Sequence, residues 1–590
     1  MATKSTASSL RVLFDHRLRR YTENEGVSLS KEMEKDLLIS LSQVLREIQR
    51  WTSEAGSDSA MASSSETGEQ LEDDEESPAA LSISELEYSC LVDVVADFVG
   101  LLGMKSPYIQ HLSVSILVEV SEFLVECGRQ WDVFIRTLCD CVHSVYKFQC
   151  PDLTSAIDFN LSNSLDVLKH KLKNTDRYMG FGIFRVLRNI LKRLNGEENY
   201  ELLGVFYKSI SSVLASFPHG LLDKLHGDGE INSRAHAQPL GNVTGHDQQL
   251  VFLGEFVQFL CSLIRQCSFL EDSSSSGPTN LILPKIIDLV PDLLQWCHPE
   301  LENQIDTCMS RYLMHKLLVL MIRLSYLSEL NCTTLHSWLQ YLHLHYQGFL
   351  QQPISRHGPV QDNCLDSSPF LSSLSNGEIR KIYSDHLQRL AVFLFLRCSF
   401  TLISSRKHFD DRCERDCRKK GLKEIHEWIE EQIPGYTFSI QGTCFEKNMD
   451  FSISFIRLYM HEDDLLFKVL LQLLSVPLHG EKLFSEEKIS LRDEEQTIIF
   501  SLSILFNPLS LFCIFLSELH YDHQVLLDYL ISRDTGTSCA EYLLRCLRVV
   551  CNSWNIFLEY RLAEKKATDE SSSKKRKTLQ ESSKIEDAKE

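Results

Sequence analysis

The sequence predicts an all-α fold, an irregular α-solenoid of HEAT- or armadillo-like helical hairpins, and three observations carry that expectation. Glycine and proline number only 25 and 15 in 590 residues, well under the usual share of about 12%, so turns are scarce and helices long. Apolar residues recur three and four apart between short polar turns along most of the chain, the spacing of a helix face. The strand-like signal is confined to 436–441, too short for a sheet. Helix pairs in HEAT and armadillo arrays recur about every 40 to 47 residues, and the spacing of the runs here is compatible with that. No sharp internal repeat is visible, which makes the array irregular.

From the N-terminus, residues 1–51 read as a helical segment whose amphipathic part spans 28–51. The first twenty residues lack a continuous apolar stretch and hold several arginines, unlike a signal peptide. Residues 52–80, acidic and serine-rich, lack both periodicity and large apolar groups and are expected to be disordered. Ser57, Ser59, Ser63, Ser64, Ser65 and Ser77 there lie near acids and could accept phosphate. A main helical repeat region, 81–434, opens with a capping box at Ser82 and Glu85 before Leu86 to Leu102, then Ser106-Pro107 before Tyr108 to Cys127. Helices are expected near 129–149, 152–173, 177–194, 199–216, 248–270, 280–297, 311–347, 378–404 and 410–432. Loops fall at 227–247, 271–279 and 351–376. A second helical region, 435–562, follows, with a helix at 451–475. Residues 563–590 form a polar tail expected to be disordered.

Ile498 to Leu516 is uncharged for nineteen residues, long enough to suggest a membrane span. Asn507-Pro508 sits at its centre, however, and an asparagine before proline marks a helix start. The stretch therefore reads as two short buried helices meeting there. A membrane-associated scaffold is the alternative it leaves open.

The formal net charge is −21, which argues against nucleic acid as the main ligand, since a non-specific grip on it needs a basic face. Nineteen cysteines, odd in number and set in apolar helical runs, read as small core residues of a reduced compartment. The nucleotide-binding, dinucleotide, zinc-protease and serine-hydrolase motifs are all missing, so no enzyme activity, catalytic residue or cofactor is expected. A zinc-dependent enzyme would need His408, Cys413, Cys417 and His426, yet these lie along a charged helix without the C-x-x-C knuckles of structural zinc. They read better as part of a core stripe with Phe409 and Leu422, so no metal site is expected. His461 to Asp464 read as a solvated helix start favoured by the helix dipole. Lys574, Lys575, Arg576 and Lys577 in the tail form a nuclear-import signal, with an import receptor as the partner they imply.

The last helical hairpin is the most informative stretch. Asp522 can cap a first helix faced by Leu526, Leu527, Leu530 and Ile531, and Gly536 can end it. Ser538 and Glu541 read as a capping box opening a second helix, with Tyr542, Cys546, Val549, Val550, Ser553 and Phe557 on its inward side. Trp554 and Leu544 are expected to be buried there. Asp528, Tyr529, Leu530, Asp534, Gly536, Glu541, Tyr542, Arg545, Cys546 and Trp554 lie in a pattern that closely resembles the C-terminal signature of the Lines family. The run Phe393 to Phe400 resembles the segment ending that family's larger N-terminal region, so the resemblance covers roughly residues 90 to 560. It looks closer to a plant-type branch. The resemblance implies a nuclear regulatory protein, shuttling with the cytoplasm and acting in development through protein partners such as transcription regulators or the machinery of their stability. It supplies no active-site residues.

Overall fold

The computed structural model describes residues 6–22, 30–62, 78–104, 106–128, 130–147, 179–194, 199–215, 243–270, 279–295, 307–327, 330–354, 379–404, 411–433, 442–475, 494–555 and 557–558. They separate into two compact units, 1–329 and 330–590. Helices make up both, with no strand among the described residues.

The first unit contains α1 (Thr6–Thr22), α2 (Lys31–Ala62), α3 (Pro78–Leu102), α4 (Pro107–Glu126), α5 (Trp131–Lys147), α6 (Met179–Arg193), α7 (Tyr200–Ala215), α8 (Val243–Leu270), α9 (Thr279–Leu294) and α10 (Thr307–Leu327). Their packing follows one rule. Each helix from α1 to α8 lies against the helix two places on, so odd and even helices form two rows. Short-range stacking of this kind is compatible with an α-solenoid.

Large apolar side chains lock the rows. Phe14 of α1 meets Phe98 of α3 edge-on at 4.7 Å, and Phe184 of α6 meets Phe256 and Phe259 of α8 at 5.0 and 5.4 Å. Leu10, Phe14 and Leu18 are buried, so α1 belongs to the fold. α2 runs to Ala62 and α3 begins at Pro78, which trims the acidic tract from both sides. Proline suits a first helical position because its missing N–H would be unpaired there in any case. Ser82 consequently lies inside α3 and opens nothing. The remainder of that tract, and the expected helix at 152–173, lie outside the described residues.

The second unit contains α11 (Cys332–His345), α12 (Gln347–Gln351), α13 (Ile379–Ser404), α14 (Asp411–Gln432), α15 (Gly442–Tyr459), α16 (Asp463–Ser475), α17 (Glu494–Leu505), α18 (Pro508–Glu518), α19 (His523–Ile531) and α20 (Gly536–Asn552). α13 is its axis. Leu390 to Leu396 are buried without interruption, as in a helix that is apolar all round and surrounded by others. Gly421 of α14 allows the close crossing with α13, since a β-carbon there would sit 2.6 Å from the Ser399 carbonyl oxygen.

Two expected long helices are broken. The run 311–347 splits before α11, where Asn331 accepts a hydrogen bond from the Thr334 amide at 2.7 Å and so caps a new helix. The run 451–475 splits between α15 and α16, where Glu462 is held by Arg389. The packing also runs straight across 434/435, where the sequence suggested a division: Trp428 of α14 meets Phe451 of α15 at 6.0 Å, and Phe400 of α13 meets Phe506 at 6.4 Å. Shared aromatic contacts join both sides into one core.

The reading of Ile498 to Leu516 holds. α17 and α18 meet at Asn507, whose side chain accepts from the amides of Leu509 and Ser510. Pro107–Glu126, His386–Ser404 and Glu495–Glu518 are each long and apolar enough to cross a membrane, and each is mostly buried inside the protein. Cys139, Cys141, Cys261, Cys267, Cys332, Cys398, Cys417, Cys513, Cys539 and Cys546 are buried, whereas Cys551 is exposed.

One ion pair makes stability depend on pH. His343 Nε2 of α11 lies 2.7 Å from Glu424 of α14, and Lys420 reaches the same carboxylate. Burial pushes the Glu424 carboxyl up, but hydrogen bonds from His343 and Lys420 outweigh it and hold it down at about 2. The hydrogen bond to Glu424 raises His343 above its ordinary value. The glutamate contribution is present above the ordinary carboxylate range and lost as pH falls toward 2; the histidine contribution is complete below the ordinary imidazole range and lost as pH rises through its raised value. The melting-temperature gap between wild type and His343→Gln is therefore expected to be larger at about pH 5.5 than at about pH 8.5. An equal gap at both would refute the pairing.

Candidate protein-binding face on the terminal hairpin

The hairpin forms where it was expected, but its ends are set differently. Asp522 caps α19, accepting from the Gln524 amide at 2.8 Å. α19 ends at Ile531, and Gly536 opens α20. The reason is a close approach of the two helices: the Gly536 amide donates to the Ser532 carbonyl at 2.9 Å, and a β-carbon on Gly536 would lie 2.5 Å from the Leu530 carbonyl oxygen. Thr535 Oγ1 donates to the Tyr529 carbonyl at 3.2 Å, which leaves Ser538 inside the helix. Glu541 pairs with Arg545 at 2.5 Å and takes no part in a capping box. Arg545 Nη1 also lies 3.2 Å from Ser475 Oγ. Asp534 is exposed in the turn, and Asp528 lies exposed on α19.

The inward side is aromatic. Tyr542 is 1% exposed, and its ring lies 6.2, 6.3 and 6.0 Å from those of Phe467, Phe512 and Phe515. Its hydroxyl is buried without a well-formed hydrogen bond, close to the Cys546 thiol. Burial pushes the Cys546 thiol up to about 12, so it stays protonated. Tyr529 meets Phe467 edge-on at 5.3 Å. Burial, with Asp463 as its hydrogen-bond partner, raises the Tyr529 phenol to about 12. That partner opens α16, where two acidic residues stand in the first turn.

The outward side corrects the sequence reading. Leu527, Ile531, Leu544, Leu547 and Trp554 are each between 50% and 79% exposed. α19 buries no residue fully. Trp554 rests on Phe557 at 5.6 Å and not in the core. α20 carries two apolar stripes: Cys539, Tyr542, Cys546 and Val550 face inward, while Leu544, Leu547 and Cys551 face solvent at spacings of three and four. Helical periodicity cannot tell which stripe finds a neighbour. The outward stripe was legible as spacing alone.

The other candidates are dispersed. Cys417 and Leu422 are buried, and His426 pairs with Glu430 at 3.4 Å. His408 and the side chain of Cys413 lie outside the described residues, as do Lys574 to Lys577. No group of His, Cys, Asp or Glu that could hold a metal ion occurs among the described residues.

Residues 376–560 match the family model described as Lines N-terminus. The match supports membership of the Lines family. The match is one continuous region, α13 to α20, and it contains both the run Phe393 to Phe400 and the terminal hairpin. No curated protein matches the chain. Within this matched region the hairpin combines a tightly packed aromatic interior with an apolar exterior that no described residue covers. That combination suits recognition: a rigid base holding side chains that a second helix would cover.

Proposed function

We propose that this Lines-family chain is a non-enzymatic helical scaffold that regulates nuclear proteins, through their transcriptional activity or stability, by binding them at the terminal hairpin. The carrying observation is the outward stripe of Leu544 and Leu547, with Leu527 and Ile531 beside it on α19. Apolar residues spaced three and four apart on one helix are the complement of an amphipathic partner helix. The acidic balance of the chain supports protein over nucleic-acid partners. Lys574 to Lys577 would engage an import receptor, giving a nuclear protein that shuttles with the cytoplasm.

Proximity labelling in cells of intact protein, of Leu544→Glu/Leu547→Glu and of a variant with alanine at Lys574 to Lys577 tests both parts. Because Leu544 and Leu547 are exposed, the double glutamate variant is expected to melt within a few degrees of wild type, as surface changes normally do. It should nonetheless lose the nuclear neighbours, and the tail variant should lose nuclear entry. An unchanged neighbour set in the glutamate variant would reject the hairpin as the binding face. A membrane-associated scaffold using Ile498 to Leu516 predicts retention in the pellet after alkaline carbonate extraction; release into the supernatant is the result expected here.

A further inference from the structure

In the first unit, α6, α8 and α10 stand side by side in the even row. α6 contributes Arg185 and Arg188, and α10 contributes Lys316 and Arg323. Glu255 of α8 lies between them. Its carboxylate meets Arg185 Nη2 at 2.6 Å and Arg188 Nη1 at 3.5 Å. Arg323 is anchored by donating to the Cys261 carbonyl at 2.8 Å. Lys316 has no carboxylate within ion-pairing distance among the described residues; its ammonium lies 5.2 Å from the centroid of the Tyr312 ring. That ring is fixed in turn, because its hydroxyl donates to Gln258 Oε1 at 3.3 Å and it packs against Gly254, where a β-carbon would come within 2.9 Å.

Arg185 and Arg188 thus hold one carboxylate, and Lys316 lies within the fields of Arg188, Arg323 and Glu255, in a chain whose net charge is −21. Stability does not call for this arrangement. Like charges in a half-buried setting repel, and burial above all, with the fields of Arg323 and Arg188, opposes the protonated form of Lys316 despite Cys261 and Glu255. The Arg188 guanidinium has its Nη1 against Glu255, while its buried Nε has no hydrogen-bond partner among the described residues. Unpaired guanidinium atoms normally mark a missing acceptor. A ligand carrying two negative charges and several acceptor oxygens would offset the excess charge, and planar guanidinium groups suit tetrahedral oxyanions.

We propose that the surface formed by Arg185, Arg188, Lys316 and Arg323 across α6, α8 and α10 binds a phosphomonoester dianion. The site is separate from the terminal hairpin and stands whether or not that hairpin binds protein. Two sources carry the required chemistry, a soluble phosphorylated small molecule and a phosphoserine side chain of a peptide.

The test is isothermal titration, with thermal melting alongside, of the full chain against inorganic phosphate, inositol hexakisphosphate and a phosphoserine peptide with its unphosphorylated twin. Chloride buffers of matched ionic strength serve as the baseline. At least one phosphorylated probe is expected to bind and raise the melting temperature, and Lys316→Met is expected to weaken that binding at least tenfold. Methionine keeps the apolar stem over Tyr312 but removes the charge, so the ligand-free variant should melt at or above wild type, a result that a purely structural role for Lys316 would not give. Arg185→Gln, at the exposed rim of the cluster, provides the same binding comparison should the first variant fold poorly. Tighter binding of inositol hexakisphosphate than of the phosphoserine peptide assigns the small-molecule source, and the reverse order, with no response to the unphosphorylated twin, assigns the peptide. Identical responses of wild type and both variants to every probe, or responses no larger than the chloride baseline, would overturn the site.

Discussion

Replacing Arg389 with alanine is expected to cost the second unit about 3 to 5 kcal/mol, the range for breaking a buried ion pair from one side. Arg389 is 2% exposed at the centre of α13. It donates through Nε to the Leu458 carbonyl and through Nη1 to Glu462 at 2.9 Å. Its own carbonyl accepts from the Tyr459 hydroxyl at 3.2 Å. These contacts fasten the end of α15 and the turn into α16 onto the axis of the unit. Burial raises the Glu462 carboxyl, and only its bonds to His386 and Arg389 bring it below the ordinary range. Without the arginine, a partly buried carboxylate is left, among the described residues, with His386. Urea unfolding of Arg389→Ala and of Arg389→Ala/Glu462→Gln checks this: the double variant should recover part of the loss, because the orphaned charge is then gone. A single variant within about 1 kcal/mol of wild type would mean that the arginine is dispensable.

Tyr542→Ala should be of similar size, about 3 to 5 kcal/mol, as for other large aromatic truncations in cores. The ring closes the space between Phe467 of α16 and Phe512 and Phe515 of α18, so its removal opens a cavity beneath the whole hairpin. Tyr542→Phe separates ring from hydroxyl. The hydroxyl is buried without a well-formed partner, and deleting such a group is expected to be neutral or mildly stabilising. A large loss in Tyr542→Phe would show that the hydroxyl contributes a bond of its own. The pair of variants also bears on the binding face, since Tyr542→Ala should loosen the platform that presents Leu544 and Leu547, whereas Tyr542→Phe should leave it intact.

The sequence was most readable where local chemistry decides the outcome. Asn507-Pro508 and Asp522 declared helix starts through side-chain hydrogen bonds to nearby amides, and these require no knowledge of distant residues. The all-α character followed from periodicity and the scarcity of turn residues. Reading failed where tertiary contact decides. Asn331 reads as a mid-helix residue, whereas its side chain caps α11, and Gly536 reads as a stop, whereas the nearness of Leu530 makes it a start. Leu544 and Trp554 read as inward because they are large and apolar, yet Tyr542 and Cys546 occupy the side that meets α16 and α18. The cation cluster on α6, α8 and α10 had no sequence signature at all, since its members come from three separate stretches and only stacking brings them together.

The buried thiols make this protein its own clock for local opening. Cys139 and Cys141 on α5, Cys261 and Cys267 on α8, and Cys513, Cys539 and Cys546 near the terminal hairpin are shielded at separate points along the two units. An alkylating reagent can reach each only when its surroundings part, while Cys551 reacts at once. In a stack held by neighbours, fraying travels from an end inward. The order in which the shielded sulphurs acquire label would therefore read out, residue by residue, which end of each unit lets go first.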